Sequence, residues 1–248
     1  MPLFGVRRPG RQTTVLDDVD RRPDTAAGAP PHADSAPLFG VSRVAALSDG
    51  IFAIAITLLV FALEVPDVSQ PTSPGELREA LDGMWPQFSA YFQTFLIVGA
   101  FWIGHHRAFR RMVGEDDRLV WLNLLFLLTV SFMPFPANLV GRYPENRTAV
   151  VVYSASLAAV SLTYAALWAY IKGARLVSPA ARPAARIELR TAVSAAALFV
   201  AAIPLSFVDL DLAAVCSNAV ILVLLAATRS YRKMNRPSRP AGGAAPSD

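Results

Sequence analysis

Long apolar runs are the feature of this sequence that most restricts its fold. A helix that crosses the hydrocarbon core of a bilayer needs about 20 mainly apolar residues, and the sequence contains six such runs. They cover residues 44–64, 88–111, 119–140, 148–171, 187–208 and 211–230. The chain is 54% hydrophobic and its mean hydropathy is +0.39, which is too apolar for an ordinary soluble domain. The sequence therefore predicts an all-α integral membrane protein with six transmembrane helices.

The basic residues of the connections predict how these helices are oriented. Positive charge is concentrated before the first span, around residues 107–118, in the connection 172–186 and after residue 228. The connections between these basic ones are acidic or nearly neutral. Since cytoplasmic loops of membrane proteins carry the excess of Lys and Arg, we expect both termini in the cytoplasm. The alternation also fits an even number of spans.

The two ends of the chain differ in composition from its apolar middle. Residues 1–42 and 233–248 are rich in proline, small and charged residues, and we predict that they are disordered cytoplasmic tails. The N-terminal tail lacks the apolar core of a secretory signal. Residues 43–232 then form one predicted transmembrane domain.

The first span has an apolar stripe on one face of its helix. Ile54, Leu58 and Phe61 recur at intervals of four and three residues, and Thr57 borders them. Residues at this spacing lie on the same side of a helix. From periodicity alone, contact with lipid or packing in the core is favoured over a lining for a pore.

Asp49 is the unusual residue of the same span. A carboxylate inside a membrane is costly unless it is paired or hydrated, so it marks a candidate functional site. The alternative is a residue at the headgroup level, with Ser48 acting as a local helix cap. Arg43 lies six residues upstream and points to a different helix face, so it cannot form an i,i+4 pair with Asp49. The partners of Asp49 are therefore expected on other helices.

Candidate partners occur in the second span, in the segment GAFWIGHHRAF. Trp102, His105 and Phe109 share one helix face, and the indole and imidazole groups can hydrogen-bond to Ser48 and Asp49. The neighbouring His106 points about a quarter of a turn away. Adjacent histidines on a helix do not converge on a metal, and no cysteine or carboxylate cluster accompanies them. A structural hydrogen-bond network is favoured over a metal site or a proton relay.

These two segments together resemble the TMEM175 (DUF1211) family of potassium channels. RVAALSDGIFAIAITLLV is similar to the family's first-helix motif, in which Arg43, Ser48 and Asp49 match and Leu47 replaces the usual phenylalanine. WIGHHRAF is similar to its second helix, with Trp102 and His105 at the matching positions. The replacement at Leu47 changes packing at the motif but leaves its polar members intact.

The resemblance implies an all-helical, tetrameric cation channel whose first helix lines the pore. A single six-span repeat implies a homotetramer of the bacterial type. Ile54 is then expected at the narrowest point, with Leu58 and Phe61 as further apolar layers and Thr57 as the selectivity layer. The residues expected to form the structural network are Arg43, Ser48, Asp49, Trp102 and His105. No TVGYG segment occurs, so a filter lined by carbonyl groups is not indicated.

The function expected from these features is that of a leak-type potassium channel in a bacterial inner membrane. Its partners are the lipid bilayer, identical subunits and permeant potassium, with no cofactor, bound metal or nucleic acid. A proton channel on the same scaffold, using Asp49 and His105 or pore water, is the first alternative, and a secondary transporter is the second. An enzyme is not expected, because the three histidines do not suggest a nucleophile–base or metal constellation.

Overall fold

The structure, a computed structural model, describes residues 40–66 and 74–234. The regular secondary structure of this part of the chain is helical, with one isolated bridge between Met112 and Val177 in the connections. A 3-10 turn, Leu59–Ala62, continues α1, and another, Pro179–Ala181, precedes α7. The helices are α1 (Val41–Leu58), α2 (Pro74–Gly83), α3 (Trp85–Phe109), α4 (Asp117–Phe132), α5 (Pro134–Arg142), α6 (Arg147–Gly173), α7 (Arg182–Leu205), α8 (Leu210–Asn218) and α9 (Val220–Met234).

The helices fall at the six predicted spans. Among the described residues, five segments are long and apolar enough to cross a membrane. They are Val41–Ala62, Asp117–Arg142, Arg147–Gly173, Pro179–Leu205 and Leu210–Tyr231. The sixth is α3, whose 25 residues are also long enough, although its glutamines and histidines make it the most polar of the set. The fold is therefore the all-α membrane architecture that the sequence predicts.

Details of the elements depart from the predicted spans. The third span is two helices, because Pro134 has no backbone N–H to continue the hydrogen bonding of α4 and begins α5 instead. The sixth span is divided at Ala219. Helix α2 was not predicted, since its residues read as an acidic connection. Helix α1 begins at Val41, inside the predicted tail 1–42, whereas residues 1–39 and 235–248 lie outside the described residues.

Helix α6 forms the centre of the fold. Half of an apolar 18-residue stretch of α6 is buried within the chain. The corresponding share is 28% for α1 with its 3-10 turn and 17% for the segment formed by α8 and α9. It packs along α7 through small side chains that let the two backbones come close. The buried alanines of these two helices include Ala158 and Ala165 in α6 and Ala185 and Ala192 in α7. Helix α1 is therefore a peripheral helix of the single chain.

The two ends of the bundle differ in charge. At one end, the bridge between Met112 and Val177 and a 2.9 Å hydrogen bond from Val113 N to Leu176 O join the α3–α4 and α6–α7 loops. Residues 107–118 and 172–186, which include these loops and the helix ends beside them, contain eight Lys and Arg residues and three acidic residues. At the other end, Arg142 Nη1 lies 2.8 Å from Glu64 Oε2, and the connections there contain Glu145, Asp209 and Asp211. This is the asymmetry on which the predicted orientation depends.

Candidate functional site

The buried face of α1 packs against α3 and α4. Its residues recur at intervals of three and four, and they are Val44, Ser48, Phe52, Ala55, Leu59 and Ala62. The Phe52 ring lies 5.8 Å from the Phe126 ring and 5.8 Å from the His105 imidazole, measured between centroids. Apolar and aromatic contacts thus surround the one hydroxyl group, that of Ser48, on this face.

A chain of three buried side chains connects α1, α4 and α3. Ser48 Oγ donates to Val44 O at 2.8 Å and accepts from Asn123 Nδ2 at 3.0 Å. Asn123 Oδ1 lies 2.8 Å from His105 Nε2. Since the amide oxygen can only accept, the network assigns the proton to Nε2 of the imidazole. The three residues are at most 1% exposed, so the hydrogen bonds that join Ser48, Asn123 and His105 are shielded from water.

Asp49 is held separately, at the border of the buried face. Trp102 Nε1 donates to Asp49 Oδ1 at 2.9 Å. His106 Nδ1 lies 3.9 Å from the same oxygen. The side chains of His106 and Asp49 are 42% and 44% exposed, respectively. The carboxylate therefore has one strong donor, the indole of Trp102, and the imidazole of His106 as a second polar neighbour.

His105 and Arg43, which were also predicted to belong to the network, do not hydrogen-bond directly to Ser48 or Asp49. His105 reaches Ser48 through Asn123 and does not contact it directly. Arg43 is exposed, and its side chain has no hydrogen bond or ion pair within the described part of the chain. It borders a concavity of about 320 Å³ together with Leu47 and Asn123. Leu47 itself is 50% exposed, so it contributes little packing within one chain.

Two residues with a place in this network were not singled out by the sequence analysis. Asn123 connects three helices, and the signal for it was a lone amide within the apolar segment WLNLLFLL. His106 was expected to point away from Asp49, yet it lies beside it. His106 follows Trp102 by four residues, a spacing that places both side chains on one helix face, and their rings lie 5.7 Å apart between centroids. That spacing was the signal that could have placed His106 near Asp49.

The opposite face of α1 is largely exposed within the part of the chain that the structure describes. Ile54 is 62% exposed, Leu58 42% and Phe61 72%. Thr57 is exposed among them, and its Oγ1 donates to Ala53 O at 2.7 Å. That hydrogen bond uses the hydroxyl proton and leaves the oxygen lone pairs free. The predicted stripe is therefore a continuous outward surface with one oxygen acceptor in it.

A second buried polar cluster lies where α3, α6, α7 and α9 meet. Glu188 is 6% exposed and accepts from Tyr231 Oη at 2.7 Å and from Tyr164 Oη at 3.2 Å. The glycine at position 104 leaves room for it, since a Cβ there would lie 2.2 Å from Tyr164 Oη and 2.6 Å from Glu188 Oε2. The signal in the sequence was a single acid within an alanine-rich helix. No cluster of three or more histidine, cysteine or acidic side chains suited to a metal occurs among the residues described.

Comparison with known proteins relates this geometry to one family. The family described as "Endosomal/lysosomal potassium channel TMEM175" matches residues 43–134, which contain α1, α3, α4 and both parts of the polar network. A potassium channel of Streptomyces collinus is 39% identical over 150 residues, which are 56% of this chain and 71% of that protein. The endosomal/lysosomal proton channel TMEM175 of Gallus gallus is 33% identical over 42% of this chain and 22% of that protein.

A solved structure supports the same relationship over more of the chain. It is the crystal structure of a lysosomal potassium-selective channel TMEM175 homolog from Chamaesiphon minutus. The two structures superpose with a TM-score of 0.63 and 28% sequence identity. The similarity covers 79% of this chain and 98% of the other. It therefore extends beyond the two motif helices to the rest of the bundle.

Proposed function

The chain belongs to the TMEM175 family of channels, and from this premise we propose that it conducts potassium through a pore lined by α1. The observation that carries the proposal is the exposed face of α1, where Ile54, Leu58 and Phe61 surround the hydroxyl of Thr57. Its other face is fixed by hydrogen bonds to α3 and α4. A helix that is fixed on one side presents the other side in a defined direction.

The pore requires more than one copy of this chain. One peripheral helix cannot enclose a path for ions, whereas four copies related by a rotation axis can bring four α1 faces together. The single six-span repeat and the resemblance to bacterial family members support a homotetramer. Each copy then contributes one Ile54, one Thr57, one Leu58 and one Phe61 to rings around the axis.

The chemistry of these rings suggests how conduction is controlled. A ring of branched Ile54 side chains offers no hydrogen-bond partner to water, so it narrows the path and favours dewetting. Thr57 follows three residues later, and because its proton is donated to Ala53 O at 2.7 Å, its oxygen is free to face a cation. Four such oxygens replace part of the hydration shell of potassium. Leu58 and Phe61 extend the apolar lining.

The polar network serves the pore through its position. Hydrogen bonds between Ser48 and Asn123 and between Asp49 and Trp102 fix α1 against its neighbours at one end of the bundle. Lipid provides little driving force for helix association, so such bonds orient helices. We assign these residues to holding the pore helix and not to the permeation path.

Proton conduction on the same scaffold is the second candidate, and one observation favours it. Asp49 and His106 are both half-exposed, and their nearest polar atoms are 3.9 Å apart. A carboxylate and an imidazole at this distance can exchange a proton through one water molecule. The names of the animal relatives, which are proton channels, also favour this candidate. His105, by contrast, is buried and bonded to Asn123.

Flux measurements on the purified protein in liposomes test the proposal. With a potassium gradient we expect flux that falls clearly when sodium replaces potassium. A fluorescent pH indicator inside the same vesicles reports protons. Proton flux without potassium flux would transfer the assignment to the second candidate, and the absence of both would contradict a channel function.

We also propose that both termini face the cytoplasm of a bacterial cell. The α3–α4 and α6–α7 connections, which have the excess of Lys and Arg, lie on the same side of the bundle as the start of α1. A reporter that is active only in the periplasm, fused after residue 248, is expected to be inactive. A fusion in the α5–α6 connection is the positive control. Strong activity of the C-terminal fusion would contradict the orientation.

A further inference from the structure

A basic concavity between the end of α6 and the start of α7 has no role in the proposed pore. It measures about 240 Å³ and is lined by Lys172, Gly173, Arg175, Arg182 and Arg186. The four cations are exposed. None of their side chains forms a hydrogen bond or an ion pair with another residue that the structure describes. Four positive charges therefore converge on one concavity without a counterion from the described chain.

The start of α7 makes this accumulation unfavourable in the protein alone. Arg182 is the first residue of the helix, and its first turn contains no acidic residue. The N-terminus of a helix carries partial positive charge, so cations are disfavoured there and anions are favoured. Arg186 lies four residues after Arg182, at the spacing where like charges on a helix repel each other. A bound anion would relieve both effects.

The connection between the two helices is held in a defined conformation. Arg175 has φ 58°, in the left-handed region that residues other than glycine seldom adopt. Two residues later, Val177 forms the bridge to Met112, and Val113 N donates to Leu176 O at 2.9 Å. The concavity is thus shaped by backbone contacts between two loops and not by an isolated flexible turn.

We propose that this concavity binds the phosphate group of an anionic phospholipid. It lies at the ends of two segments, Arg147–Gly173 and Pro179–Leu205, that are long and apolar enough to span the bilayer. That is the depth at which headgroups lie, and basic pockets between transmembrane helices suit anionic headgroups. Only 33% of the apolar window of the second segment is buried, so its outer flank is free to contact the acyl chains.

The test uses the full-length protein in a neutral detergent, titrated with phosphatidylglycerol or with phosphatidylcholine. The readout is the midpoint of thermal unfolding. We expect phosphatidylglycerol to raise the midpoint of the wild type more than phosphatidylcholine does. In Arg182→Gln/Arg186→Gln, the apparent affinity for phosphatidylglycerol should fall by at least about tenfold, since each cation near a membrane surface contributes about fivefold. Without lipid, the variant should be as stable as the wild type or more stable.

The controls separate this site from general surface charge. Arg110→Gln/Arg229→Gln removes two exposed arginines elsewhere and should keep the response to phosphatidylglycerol. Lys172→Gln/Arg175→Gln removes the other two cations of the concavity and should lose it. An unchanged response in either concavity variant, or an equal loss in the control variant, would overturn the proposal. Glycerol 3-phosphate is expected to have no effect; a response as large as that to the lipid would overturn the assignment to a lipid.

Discussion

The two faces of α1 are both largely apolar, but one is buried within the chain and the other is exposed. One face contributes Phe52 and Leu59, which are 1% and 0% exposed, while the other presents Phe61 and Ile54 at 72% and 62% exposure. Apolar character therefore does not decide which side of this helix is buried. In a bilayer, lipid solvates either face equally well. Specific partners, and not hydrophobicity, therefore orient the helix.

The partners on the buried side are identifiable. Ser48 meets the amide of Asn123 at 3.0 Å, and Asp49 meets the indole of Trp102 at 2.9 Å. The exposed side has Thr57, whose hydroxyl proton remains within its own helix. One face is therefore satisfied by the rest of the chain, whereas the other has an acceptor available to something outside it.

The largest effect is expected from truncating matched phenylalanines on the two faces. Phe52→Ala removes a ring enclosed by Phe126 and His105 and should lower the free energy of unfolding by about 3–5 kcal/mol, because a cavity remains. Phe61→Ala should change it by less than about 0.5 kcal/mol. The measurement is unfolding of the purified protein in detergent. Equal losses for the two variants would mean that the exposed face of α1 is packed as tightly as the buried one.

The next effect concerns the hydroxyls and amides of the two faces. Asn123→Leu keeps the approximate shape but leaves Ser48 Oγ and His105 Nε2 without their partner, at a cost of about 1–2 kcal/mol in unfolding free energy. Thr57→Val, on the exposed face, removes a hydroxyl whose hydrogen bond within the described residues is to Ala53 O of its own helix, and it should be nearly neutral for stability. A stable Asn123→Leu protein with altered ion selectivity would instead place this network in the permeation path.

A smaller effect is expected for conduction through the exposed face. Ile54→Asn introduces amide donors and acceptors at the proposed constriction, so it should ease wetting and raise flux severalfold, with a weaker preference for potassium over sodium. Thr57→Ala should mainly reduce that preference. Ile54→Val keeps a branched apolar side chain and is the control with nearly unchanged flux. Vesicle flux with equal amounts of protein measures all three; identical rates would indicate that this face contacts lipid or protein.

The smallest effect is expected at Gly50, also on the exposed side of α1. A Cβ at this position would meet nothing within 4 Å, and alanine favours a helix by up to about 1 kcal/mol over glycine. Gly50→Ala should therefore leave stability unchanged or raise it slightly. Size-exclusion chromatography compares the assembled state of both proteins. A loss of assembly in the variant would reveal close contact between copies at this position.

Part of the candidate site followed from the sequence. The spacing of Trp102 and His105 on one helix face predicted contacts with the first helix. In the structure, the indole of Trp102 donates a hydrogen bond to Asp49. His105 hydrogen-bonds to Asn123, which then contacts Ser48. A donor and an acceptor can be matched by type from sequence, but an intermediate such as Asn123 depends on a third helix. For the same reason, the group around Glu188 was not anticipated, since its two tyrosines come from α6 and α9.

The local sequence pattern was sufficient to predict the six apolar spans, their approximate ends and the charge at each end of the bundle. It could do so because backbone groups within a membrane must be satisfied inside the segment, which makes a long apolar run a helix. The caps are local as well, as when Asp116 accepts from Leu119 N at 2.8 Å. Tertiary structure alone decided which side of α1 is buried, because both sides are apolar and the deciding contact joins Ser48 to a residue 75 positions away. Such a contact exists only once three helices have packed at a particular rotation and tilt. The local sequence pattern specifies neither the rotation nor the tilt.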